Sequence, residues 1–206
     1  MSLGLWQMQR LQEKNRVIAL IDARMNDAPV QLEEGLSAVD SDYLPVAVRG
    51  RFTGEELHVL AGIKKIGPSY RIISAFETDA GRRILVDRGY VPTEMKDALR
   101  PPVPVALTGI LHTPQEVDSF TPAPDIENNI WFARDVPEMA QALRTEPTFV
   151  ILSGTSETNP PVTPLPVDTA AIPNDHLGYA ITWFSLAIVW LGMTAAVLWR
   201  IRQRRS

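Results

Sequence analysis

The sequence predicts an α+β fold: an antiparallel sheet, open or barrel-like, with flanking helices, anchored by a C-terminal transmembrane helix. Three observations carry this reading. Leu177 to Trp199 is a run of 23 residues without Asp, Glu, Lys, Arg or His. The centre of the chain, from Val46 to Leu111, alternates apolar and polar residues with a period of two. Trp6 to Met25 contains no Gly or Pro and places Leu11, Ile18, Ile21 and Met25 at helical spacing.

In chain order, the opening MSLGLW is apolar but too short to span a bilayer, and it lacks the basic start and cleavage site of a signal peptide. We read it as the tail of a first transmembrane helix whose remainder precedes this sequence, with Trp6 as its outer interfacial anchor. A helix then continues out of the membrane to Met25. Pro29, Gly35 and Pro45 punctuate the loop that follows.

Short runs with strand periodicity are Val46–Phe52, Leu57–Ala61, Arg71–Phe76, Arg83–Val91 and Val103–Leu111. Their connections are brief and hold turn residues, namely Gly54, Gly62, Gly67-Pro68, Gly81 and Pro101-Pro102. Antiparallel hairpins are therefore expected, because parallel pairs need crossovers of a dozen residues or more. Residues 114–130 form an excursion rich in Pro, Asp and Asn. The segment from Asp135 to Arg144 starts with an Asp cap and a proline in the first turn, then sets Met139 and Leu143 on one side of a helix. Phe149–Ser153 is a further strand. Residues 154–173 hold five prolines and should run extended.

The apolar run closes the chain. As a helix, its 23 residues reach roughly 34 Å, enough to cross a hydrocarbon core of about 30 Å. A soluble helix of this length normally shows a polar stripe, and this one shows none. Arg200, Arg202, Arg204 and Arg205 follow without an acid, which places the C-terminus in the cytoplasm and everything before Leu177 outside it.

Composition fits one ordinary domain plus a span, at 206 residues, 45% hydrophobic and 21% charged. Setting aside the four terminal arginines turns the formal −4 into −8 on residues 1–199. An acidic exterior domain repels phosphates, so nucleic acid is not an expected partner. With no cysteine, disulfides, thiolate catalysis and thiolate metal sites are all excluded.

Catalytic motifs are absent: there is no GxxxxGK[ST], GxGxxG, HExxH or GxSxG. His58 and His112 fall in or near strands and read as ordinary surface residues. Ser153 and Ser156 lie beside Gly154 in a loop, outside the strand-to-helix elbow a serine nucleophile needs. The polar cluster with a mechanical setting is Asn174-Asp175-His176, directly before the span. It reads first as a helix cap, which is useful where lipid offers the backbone no partner. It reads also as a ligand site, in which His176 at the edge of an apolar slab holds haem iron. The two readings are compatible. Met193 lies 17 residues further on, roughly 25 Å deeper, so it cannot complete the same site.

The stretches WQMQRLQEK, VRGRF, ILVDRGYVP, LTGIL, NNIWFARDVPEMA and above all PNDHLGYAITWFSLA, in order from residue 6 to residue 187, resemble the surfeit locus protein one family. Two positions depart from its pattern, Asp87 and Tyr90, where the family more often shows Asn and Trp. The resemblance implies an assembly factor for cytochrome c oxidase rather than an enzyme. It implies partners in oxidase subunit I and other assembly factors, haem a as cofactor, and His176 as the residue suspected of binding it. It also implies two transmembrane helices and a place in the bacterial inner membrane with the main domain in the periplasm, or the mitochondrial equivalent. Arg88, Gly89 and Trp131 match family positions too. Their plain structural readings are an ion pair, backbone relief and packing.

The expected organisation is a helical stub over residues 1–25, an extracytoplasmic α+β domain over 26–173, a capped transmembrane helix over 174–199 and a basic tail over 200–206. The rivals from other classes are a membrane-tethered enzyme and a cofactor-free scaffold.

Overall fold

The computed structural model describes residues 2–32, 41–63, 66–167 and 176–204. It is α+β, with a seven-stranded mixed sheet and three helices among the described residues. The chain separates into two compact units, one comprising residues 1–22 with 168–206 and the other residues 23–167.

Helix α1 (Ser2–Met25) carries the predicted helical segment. The loop after it holds a two-residue strand, β1 (Val30–Gln31), which adds in parallel to the next strand and was too short to read from periodicity. Two of the predicted strands are one: β2 (Pro45–Ile63) runs for 19 residues through Gly54. Gly54 was expected in a turn. Instead it sits in a bulge between Phe52 and Glu56 with φ at +84°, a conformation glycine adopts without strain. β3 pairs with β2 on both sides of the bulge, while β5 pairs only with residues before it and β6 only with residues after it.

β3 (Gly67–Thr78) and β4 (Arg83–Pro92) follow as hairpins, and β5 (Val103–Leu111) returns to the first half of β2. β6 (Ile130–Trp131) lies parallel to β2. Helix α2 (Val136–Leu143) starts as predicted, with the Asp135 side chain accepting from the Glu138 N–H and Pro137 in the first turn. It is the crossover to β7 (Phe149–Thr155), which inserts between β4 and β5, parallel to the first and antiparallel to the second. The expectation of antiparallel pairing throughout therefore fails at β4–β7, where a connection of more than fifty residues containing a helix gives the chain length to return in the same direction.

The pairings β2–β3–β4–β7–β5–β2 form a closed circuit. Side-chain alternation then divides the core in two. Val48, Phe52, Phe76, Ile84, Val86, Leu107, Val150 and Leu152 pack together on one face of these strands. The intervening residues Ile73, Leu85, Phe149 and Ile151 pack on the other face against Trp131 of β6 and Val136, Met139 and Leu143 of α2.

Helix α3 (His176–Gln203) covers the predicted span. Ile181–Gln203 is long and apolar enough to cross a membrane, and none of that stretch is buried within the protein. This is the geometry of a membrane anchor.

Candidate functional site

The polar cluster before the span is reached only at its last residue. His176 is the first residue of α3, while Asn174 and Asp175 lie outside the described residues, as does the His176 side chain. The capping reading therefore concerns residues the structure does not describe. Further along the helix, Tyr179 and Trp183 follow His176 at i+3 and i+7, the spacing of one helix face, and are 59% and 42% exposed. The described part of this helix end therefore offers two exposed aromatic rings one and two turns after its first residue, His176. Among the described residues, no group of three His, Cys, Asp or Glu side chains is placed to hold a bare metal ion.

The other histidines are placed differently from expectation. His58 is only 6% exposed, with its ring edge-on to that of Tyr70. Its Nε2 lies 2.8 Å from Glu56, which the guanidinium of Arg100 also holds at 2.8 Å. Arg100 in turn donates to the carbonyls of Met95 and Lys96. Burial raises the Glu56 carboxyl, but hydrogen bonds from His58 and Arg100 outweigh it and hold the group below its ordinary value. His112 is no free surface residue either. Its Nδ1 lies 2.9 Å from Asp42, and its ring packs on Tyr43.

The residues matched by resemblance in β4 and β6 have the structural roles foreseen for them. Arg88 is 2% exposed, donates to Glu157 at 2.8 Å and lies 4.1 Å over the ring of Phe52. Gly89 has φ at +115°, and a Cβ there would meet the Thr163 carbonyl oxygen at 2.0 Å. Trp131 is 2% exposed in the core beside α2.

Sequence reasoning missed a buried charge that ties several elements of the domain together. Asp87 is fully buried and gathers two arginines from distant parts of the chain. The Arg71 Nη2 lies 2.6 Å from its Oδ2, the Arg134 Nη1 donates to the same oxygen at 3.3 Å, and the Gly89 N–H donates to Oδ1 at 3.0 Å. Arg134 reaches outward as well. Its Nε, Nη2 and backbone N–H all donate to Glu116. Burial raises the Glu116 carboxyl, yet the Arg134 hydrogen bonds and charge prevail and hold it below the usual range. The signal available in the sequence was parity: Asp87 stands in an apolar strand where a solvent-facing charge would have left the β4 pattern interrupted.

Residues 1–188 match the SURF1 family profile. The chain belongs to the SURF1 family. Its relatives include a SURF1-like protein of Rickettsia felis, 32% identical over 91% of this chain and 86% of the relative. A SURF1-like protein of Rickettsia bellii is 31% identical over 98% of this chain and 85% of the relative. Surfeit locus protein 1 of Gallus gallus is 30% identical over 89% and 67% respectively. None of these relatives bears the name of an enzyme. For this SURF1 family chain, the match takes in the whole sheet domain and the first part of α3, including His176.

Proposed function

We propose that this protein is an assembly factor for cytochrome c oxidase that assists haem a insertion into, or maturation of, subunit I. The observation that carries the reading is the family match over residues 1–188, which runs through the segment in which His176 opens the apolar helix. The protein sits in a bacterial inner membrane, or the mitochondrial equivalent. The arginines after the span hold its C-terminus in the cytoplasm, and the sheet domain faces the periplasm, where it meets oxidase subunit I and other assembly factors.

His176 is the residue that binds haem a, and Tyr179 and Trp183 shelter the ring at the membrane boundary. A haem held there would supply an iron for the His176 imidazole to ligate. The role of the sheet domain is to present this helix end to its partner and not to perform chemistry.

The test is the Soret band of the full chain co-expressed with haem a synthesis. Replacing His176 with Ala should remove most of the haem and shift the spectrum of the rest. Asp175→Ala, which on the capping reading removes only a cap, should cost about 1 kcal/mol of local helix stability and leave the haem in place. An unchanged spectrum in the His176 variant would end the ligand reading.

A further inference from the structure

The sheet domain contains a cleft of about 420 Å³, within the range of small-molecule sites, lined by Leu60 and Ile63 of β2, Arg71 of β3, and Glu116, Phe132 and Arg134. Its contents are unusual in combination. Arg71 and Arg134 are held with side chains only 15% and 13% exposed. Beside them Leu60 and Phe132 are left 43% and 40% exposed. A pair of fixed guanidinium groups next to uncovered apolar side chains is the lining expected for a ligand with an apolar body and an acidic end.

The acidic end can be identified from what already sits there. Glu116 receives three donors of one residue, the Nε, Nη2 and backbone N–H of Arg134, so this fork is arranged to hold a carboxylate through both oxygens. The two partners are not equally fixed. Arg134 is packed and shared with the buried Asp87, whereas Glu116 is 39% exposed and lies in the stretch between β5 and β6, outside any helix or strand. When Glu116 turns outward its charge is hydrated at little penalty. Arg71 and Arg134 then face Asp87 alone, leaving one net positive charge in the cleft, which a ligand carboxylate cancels. Arg134 keeps its contact with Asp87 in either state, so the site stays formed.

We propose that this cleft binds the carboxylate of an apolar small molecule, and that Glu116 occupies the carboxylate position as an internal substitute when no ligand is present. The chemistry is shared by two sources: the propionate of a tetrapyrrole and the carboxylate of a fatty acid. Neither iron nor His176 takes part, so the proposal stands or falls apart from the haem-ligand reading above.

The test uses the full chain in neutral detergent, with binding followed by quenching of tryptophan emission. The probes are metal-free protoporphyrin IX, its dimethyl ester and laurate. Glu116→Gln, a change at a partly exposed side chain, should tighten free-acid binding by about tenfold, since it removes the internal competitor and leaves Arg134 in place. The diester, which lacks the carboxylates, should not respond. Phe132→Glu, at the exposed rim, should weaken free-acid binding by a similar factor through repulsion. If only protoporphyrin responds, the ligand is a tetrapyrrole. If laurate responds equally, an acyl chain suffices. Equal affinity of the unaltered and Glu116→Gln proteins for both free acids would overturn the proposal, as would an equal response of the diester.

Discussion

The sheet domain and helix α3 treat the same residue types in opposite ways. In the domain, Ile72, Ile73, Phe76, Ile84 and Leu85 are fully shielded, while on α3 the large residues Ile188, Trp190, Met193 and Trp199 are between 64% and 69% exposed. Charges follow the reverse pattern. The domain buries Asp87, Arg88 and Arg100 and gives each a partner, whereas Leu177 to Trp199 carries no charge at all. Two solvents explain both: in water, apolar groups hide and a few paired charges are tolerated inside; in lipid, apolar side chains face outward and charges are excluded.

The largest way to break the domain side of this contrast is to leave its buried charges unpaired. Asp87→Ala removes the only carboxylate paired with Arg71 among the described residues, leaves Arg134 with Glu116 alone, and should destabilise the domain by about 3–5 kcal/mol. Chemical denaturation of the full chain, followed by far-UV circular dichroism, would measure this. A loss below about 1 kcal/mol would mean that the arginines find water once the acid is gone.

Next in size is a cavity. Met139 of α2 is fully buried against β4 and β7, and Met139→Ala should cost about 3 kcal/mol in the same assay. An exposed apolar residue of similar size on α3, Met193, is the control. Met193→Ala should leave the domain's denaturation midpoint where it was.

How much of this was legible beforehand differs between the two regions for the same reason. A span is a local property, so 23 uncharged residues sufficed to find α3. Helix α2 was legible too, because its cap, proline and apolar side are all neighbours in sequence. The sheet's pairing was not. β4 meets β7 after an excursion whose length, and not its pattern, decides that the pair is parallel. The bulge at Gly54 looked like a turn since a glycine with positive φ serves either, and what decides is that both halves of β2 find partners. The charge cluster was hidden for a related reason. Arg71, Asp87, Glu116 and Arg134 are ordinary residues until the fold brings them together. Its place directly before the apolar run drew attention to His176 and the resemblance added to that, and the structure places it at the head of α3 without describing its side chain.

Acid should separate the regions more gently. The Glu56 carboxyl, lowered in the folded protein mainly through His58 and Arg100 against the opposing effect of burial, contributes stability that is fully present above the unfolded carboxyl value near 4.3. That stability is lost as pH falls through the lower folded value. Denaturation midpoints between roughly pH 6 and pH 3 should therefore drop steeply at the acid end, and Glu56→Gln should flatten that drop. Since α3 carries no carboxylate, its helicity should not follow. A parallel slope in the Glu56→Gln protein would assign the acid sensitivity to other carboxylates.

The smallest expected effect compares two glycines. At Gly89 an added Cβ would strike the Thr163 carbonyl oxygen and force a backbone conformation that side chains rarely adopt, so that position is closed from inside the domain. Gly192, on α3, meets nothing within 4 Å. Gly192→Ala should consequently leave the domain's stability within about 0.5 kcal/mol of the unaltered protein, and should if anything favour the helix, where Ala outranks Gly. If the change instead lowered the domain's denaturation midpoint, the exposed face of α3 would be one that the folded domain depends on, and the two regions could no longer be treated as answering to separate solvents.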